Sequence, residues 1–231
     1  MTAELPAPAL MLVTDRHQTR GRPLETVVAA ALDGGVNLVQ LREKDLPARE
    51  LYGLARRLRD LTAGRALLLV NDRLDVALAV EADGAHLAGH SLPPVAARAV
   101  LGPHRLLGAS VHSRAEAEAA ACGGVDYLLV GTLYPSRSHP EVAPAGLGLV
   151  QELCRAVDVP LLGIGGITPR NAREVLAAGA RGVAVITTIT LAPDPAAAAA
   201  RLRLALRTVE PLPAAVRRLA AGAASSEVTS L

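Results

Sequence analysis

Short apolar runs alternate with helical patterns along nearly the whole chain, and this rhythm limits the possible folds more than any other feature. The apolar runs are Leu10–Val13, Val36–Leu41, Leu67–Val70, Gly84–Leu87, Leu106–Ala109, Asp126–Val130, Pro160–Ile164 and Gly182–Ile186. A segment with helical character follows each one. Leu24–Leu32 stops at Gly34-Gly35, and Pro47 opens a helix with an apolar face of Leu51, Leu54, Leu58 and Leu61. The further helices read as Leu74–Val80, Pro93–Val100, a fifth capped by Ser113, Leu147–Val157, Asn171–Ala178 and Pro195–Thr208. Ser113 with Glu116 is a capping box, and Thr168-Pro169 reads as an N-cap with proline at the first helical position. Strands alternating with helices argue for a parallel sheet. Eight even units favour a closed (β/α)8 TIM barrel in a single domain over a doubly wound open sheet. The expected layout is a flexible N-terminus at 1–9, the barrel at 10–208 and a flexible tail at 209–231. Within the tail, 214–221 reads as a frayed helix rather than an interface helix.

Composition narrows the function. The net charge of +2 shows no basic cluster, and the chain has no Trp or Phe and three Tyr. Nucleic acid is therefore an unsuitable partner. Cys122 and Cys154 form no metal spacing and fit a reduced compartment. No apolar run is long enough to span a bilayer, and no signal-peptide pattern precedes the first strand. The expectation is a cytoplasmic enzyme or binding protein for small molecules, with a homo-oligomer left open.

In a barrel of this kind, the ends of the strands carry the chemistry. The second strand ends on Gln40-Leu41-Arg42-Glu43-Lys44-Asp45, and Lys44 is the only lysine of the chain. Strand alternation puts Gln40, Arg42 and Lys44 on one side. Three donors held together suit an anion, whereas a strand merely leaving the core does not require them. Gly163-Ile164-Gly165-Gly166 after the seventh strand is a phosphate-cradle candidate, with Ile186-Thr187 after the eighth as its other half. The loop from Thr132 to Ala145 holds Ser136, Arg137, Ser138 and His139 and could close over a substrate. His86, inside an apolar strand, reads as a core histidine; His17, His90 and His104 read as solvated.

Taken together, these stretches resemble the thiamin phosphate synthase superfamily. The matches are Gln40–Asp45, Asn71-Asp72-Arg73, Asp83–Leu87, Ser110-Val111-His112, Asp126-Tyr127, Gly163–Thr168 and Gly182–Ile186, in order across the barrel. The synthase of this superfamily joins a pyrimidine methyl diphosphate to a thiazole phosphate with loss of diphosphate, and uses Mg²⁺. The resemblance implies that Gln40, Arg42, Lys44, Asn71 and Ser110 hold the pyrimidine diphosphate, and that Asp72 is a Mg²⁺ ligand. It also implies that Ser136, Ser138, Gly166, Ile186 and Thr187 bind the thiazole phosphate, with Gly165 in the same cradle. Two positions depart from the synthase pattern: Ser91 stands in place of the second metal carboxylate, and His139 in place of a lysine. Both departures lean toward the sister activity, a thiazole tautomerase. That reaction moves a proton, needs no metal and uses Gln40, Arg42 and Lys44 for a carboxylate. His139 and Lys44 are the expected catalytic side chains. The synthase is the alternative, with Glu43 as a substitute metal ligand and Arg137 as a substitute cation. A non-catalytic phosphate-binding barrel is the third reading.

Overall fold

The computed structural model describes residues 4–136 and 143–207. Eight parallel strands close into a barrel in sequence order, β1 pairing with β8. The strands are β1 (Ala9–Val13), β2 (Leu38–Leu41), β3 (Leu67–Asn71), β4 (Gly84–Leu87), β5 (Leu106–Val111), β6 (Tyr127–Val130), β7 (Leu161–Ile164) and β8 (Gly182–Val185). Around them lie α1 (Leu24–Asp33), α2 (Ala48–Thr62), α3 (Leu74–Ala79), α4 (Pro94–Leu101) and α5 (Arg114–Cys122). The ring is completed by α6 (Gly146–Ala156), α7 (Ala172–Ala177), a short α8 (Thr187–Thr190) and α9 (Pro195–Arg207). The expected TIM barrel is therefore present. Among the described residues no helix is long and apolar enough to cross a membrane.

Strand alternation divides the core into two. Outward residues such as Leu10, Leu12, Val39, Leu41, Leu68 and Val70 pack beneath the helices. Leu51, Leu54 and Leu58 of α2 are buried in that layer, so Leu58→Ala would cost about 2–5 kcal/mol. Inward residues, among them Met11, Val13, Leu38, Leu69, Tyr127, Leu129 and Leu162, fill the lumen. The barrel is thus a packed core, and only its mouth is free for chemistry.

Several details differ from the sequence reading. β1 starts at Ala9, inside the span expected to be flexible, and Leu5 packs against the lumen cluster. Ser113 does cap α5, accepting from the Glu116 N–H at 3.3 Å, but Glu116 returns its bond to the His112 N–H. Thr168 does not cap α7. That helix begins at Ala172 with Asn171 before it, and the Asn171 side chain instead accepts from the Thr168 N–H at 2.7 Å. The short α8 had no counterpart among the expected helices, because four residues are too few to show a periodic face. Thr208 and the 209–231 tail, including 214–221, lie outside the described residues.

Candidate active site

A cavity of about 790 Å³ opens at the C-terminal mouth of the barrel. Gln40, Arg42, Lys44, Asn71 and Ser110 line one side, and Gly165, Gly166, Ile186 and Thr187 line the other. Ser136 also reaches the cavity. Ser138, His139 and Arg137 lie outside the described residues, so the expected catalytic histidine has no structural description. His90, His112, Thr168 and Thr188 line the cavity as well, although the sequence reading assigned them no role there.

The second strand presents its donors because the residues between them are anchored. Glu43 is 5% exposed and accepts from the Thr14 hydroxyl at 2.7 Å. It also accepts from the Arg16 backbone N–H and guanidinium. Arg16 forks onto Asp45, and this pairing holds the Asp45 carboxyl well below the usual range. The Arg42 N–H donates to Thr14 Oγ1 at 2.9 Å. Glu43 is therefore spent on bracing β2 against the loop after β1. Both its oxygens are engaged by Thr14 and Arg16, and it is not among the residues lining the cavity, which speaks against the substitute metal ligand expected from sequence.

At the end of β3 a chain of amides leads to Asp72. Gln40 Nε2 donates to Asn71 Oδ1 at 3.0 Å, and Asn71 Nδ2 donates to Asp72 Oδ2 at 2.7 Å. A carboxylate can only accept, so it fixes which end of Asn71 faces it, and Asn71 in turn orients Gln40. That leaves Gln40 Oε1 buried at the cavity wall with no partner among the described residues. A ligand bearing an N–H would satisfy it. Asp72 sits behind Asn71 with a φ of 59°, and Ser91 donates its hydroxyl to Asp72 Oδ1. The Ser91 oxygen also accepts from the Ala88 N–H at 2.6 Å.

Mg²⁺ keeps several waters and is held by one or two carboxylates together with substrate phosphate oxygens. Asp72, with the Ser91 hydroxyl beside it, supplies one such carboxylate. Both Asp72 oxygens already accept, from Asn71 Nδ2 and the Ser91 hydroxyl, so Asp72 would hold Mg²⁺ only once Ser91 released Oδ1 and a substrate supplied the remaining oxygens.

His86 is a core histidine, as expected, at 1% exposure. Its Nδ1 lies 2.8 Å from the Tyr127 hydroxyl and its Nε2 lies 2.8 Å from Ser110 Oγ. Burial pushes the ring pKa down to about 4; Asp72 opposes the shift and Arg42 adds to it. Burial also pushes the Tyr127 phenol up.

The opposite wall is made of backbone. Gly165 and Gly166 have φ of 98° and 63°. A Cβ on Gly166 would stand 2.5 Å from Pro135 O, and one on Gly165 would stand 2.5 Å from Thr132 Cγ2. The loop after β6 lies directly on this turn, with the Tyr134 N–H donating to Gly165 O at 3.1 Å. Asn171 Nδ2 holds Gly166 O at 3.1 Å, and Thr188 Oγ1 donates to Ile167 O at 2.6 Å, joining the turn to α8. The helix start expected at Thr168 is not there; the glycine turn and the first residues of α8 line the cavity instead.

Residues 10–189 match the thiamine monophosphate synthase family. The chain belongs to that family. It is 50% identical over 186 residues to the thiamine-phosphate synthase of Moorella thermoacetica, covering 79% of this chain and 88% of that one. It is 46% identical over 204 residues to the thiamine-phosphate synthase of Roseiflexus castenholzii, covering 86% and 90%. In structure it is similar to thiamine phosphate pyrophosphorylase from Pyrococcus furiosus, with a TM-score of 0.80 and 38% identity over 87% of this chain and 96% of that one.

Proposed function

We propose that this protein is a thiamin phosphate synthase. The observation that carries the reading is its 46–50% identity, across nearly the whole barrel, to relatives bearing that name. They favour the synthase over the tautomerase that Ser91 and His139 suggested from sequence. In the synthase reaction the bond between the pyrimidine methylene carbon and the diphosphate oxygen breaks. Diphosphate leaves with the electron pair, and the thiazole nitrogen attacks the resulting cation to form the new C–N bond.

Each wall of the cavity suits one substrate. Gln40 Oε1, an acceptor awaiting a donor, fits the amino group of an aminopyrimidine. Arg42, Lys44, Asn71 and Ser110 fit the diphosphate, whose charge grows as it departs. Fixed cations and hydroxyl donors at that point lower the barrier more than they strengthen ground-state binding. When bound, Mg²⁺ would neutralise the leaving diphosphate, and Asp72 would hold it once Ser91 released Oδ1. Gly165, Gly166, Ile186, Thr187 and Ser136 fit the thiazole phosphate, which stays attached throughout.

The tautomerase remains the second reading, and a specific observation favours it: the Ser91 hydroxyl is bonded to Asp72 where a second carboxylate would be expected. One assay separates the two. Full-length protein with Mg²⁺, pyrimidine methyl diphosphate and thiazole phosphate should form thiamin phosphate. No product, together with turnover of the thiazole carboxylate phosphate, would reverse the order. Binding of thiazole phosphate without either turnover would favour a non-catalytic barrel.

A further inference from the structure

We infer that Tyr127 and His86 act as positioning residues that fix the Ser110 hydroxyl as a hydrogen-bond donor into the cavity. The inference rests on the synthase reading only for what Ser110 donates to, not for the relay itself.

The three side chains meet because of one glycine. His86, Gly108 and Tyr127 lie in register on β4, β5 and β6. A side chain on Gly108 would separate its neighbours, since its Cβ would fall 2.0 Å from Tyr127 Cζ and 2.4 Å from the phenol oxygen. Without that Cβ, Tyr127 crosses the lumen and its ring comes within 5.6 Å of the His86 ring, centroid to centroid. Ser110, two residues along β5 from Gly108, takes the other side of the imidazole.

The direction of the chain follows from donor bookkeeping. Tyr127 is fully buried among Leu106, Leu129 and other lumen side chains. Its phenol O–H needs an acceptor, and His86 Nδ1 at 2.8 Å is its hydrogen-bond partner among the described residues. A buried phenol left without one would lose about 1–3 kcal/mol. Nδ1 therefore carries no proton, and the ring proton sits on Nε2. The Nε2–H then donates to Ser110 Oγ, so the Ser110 hydroxyl proton is not spent on the ring, and Ser110 lines the cavity into which it can donate. In the reverse polarity Ser110 would donate to the ring and meet the substrate as an acceptor, and the phenol proton would have no partner. A donor aimed at a leaving diphosphate stabilises it; an acceptor at the same place would repel it. The relay thus sets the sign of one hydrogen bond at the reacting centre.

The test begins with nitrogen NMR on ¹⁵N-histidine-labelled full-length protein, with the His86 signals assigned by their loss in His86→Gln. The Nε2–H tautomer is expected; an Nδ1–H tautomer would overturn the proposal, whatever the reaction proves to be. In kinetics, Tyr127→Phe keeps the ring volume and should lower kcat about tenfold with KM little changed. Ser110→Ala should lower kcat at least as much. The double variant should be no slower than Ser110→Ala alone, because Tyr127 acts through Ser110. Losses that multiply in the double variant would instead mean that Tyr127 serves only packing, and the proposal would fall.

Discussion

The two walls of the cavity are built from different materials. The wall of β2, β3 and β5 is made of side chains: Gln40, Arg42, Lys44, Asn71 and Ser110, of which Gln40, Asn71 and Ser110 are held by side-chain partners. The wall of β7 and β8 is made of backbone, around Gly165 and Gly166, and works by leaving side chains out. The first wall can read and stabilise changing charge; the second can cradle a phosphate that does not change. This division suits a reaction in which one phosphorylated group leaves and the other is a handle. It also predicts that the walls will fail differently when mutated.

The largest effect is expected on the side-chain wall. Lys44→Ala or Arg42→Ala should lower kcat/KM about 100- to 1000-fold with little change in melting temperature. A loss below tenfold would mean that this wall does not meet the leaving group. Next comes pH, which acts through His86, the buried histidine behind Ser110. Its pKa is about 4 in the fold against a usual 6.5, so the unfolded chain binds the extra proton first. His86 therefore adds no pH dependence to stability above about pH 6.5. As pH falls from there toward 4, stability should drop by on the order of 3 kcal/mol. Denaturant melts between pH 8 and 4 should show this slope, and His86→Gln should flatten it.

The side-chain wall was legible in the sequence because its chemistry is written in residue types. Gln40, Arg42 and Lys44 alternate along a strand, and no core position asks for a lysine. The roles of their neighbours were not legible. Glu43 looked like a spare metal ligand until its bonds to Thr14 and Arg16 were placed, and those partners come from a loop 27–29 residues away. His86 was recognised as a core residue, but its link to Tyr127 depends on Gly108, whose importance is an absence. The backbone wall was legible only as glycines at the right strand. Proline after Thr168 suggested a helix start there, yet Asn171 takes that turn for itself, and the four-residue α8 leaves no periodic trace.

On the backbone wall, Gly166→Ala should cost about 1–3 kcal/mol of stability, since its φ of 63° suits glycine and its Cβ would meet Pro135. It should weaken thiazole phosphate binding, measured by calorimetry, while leaving affinity for the pyrimidine diphosphate unchanged. Equal losses for both ligands would erase the distinction between the walls. The smallest effect is expected from Ser91→Asp. A second carboxylate beside Asp72 should reduce the Mg²⁺ concentration needed for half-maximal rate a few-fold. An unchanged Mg²⁺ titration would show that Ser91 does not stand at the metal.

In the proposed reaction, diphosphate departs from one wall while the thiazole phosphate stays on the other. Phosphorus NMR on a single reaction mixture follows both at once. With Mg²⁺, pyrimidine methyl diphosphate and thiazole phosphate present, the paired diphosphate ester signals should collapse to the one signal of inorganic pyrophosphate. The monophosphate signal should persist, shifted, in equal amount as thiamin phosphate. Diphosphate ester signals that remain intact in the presence of active, folded protein would contradict the account.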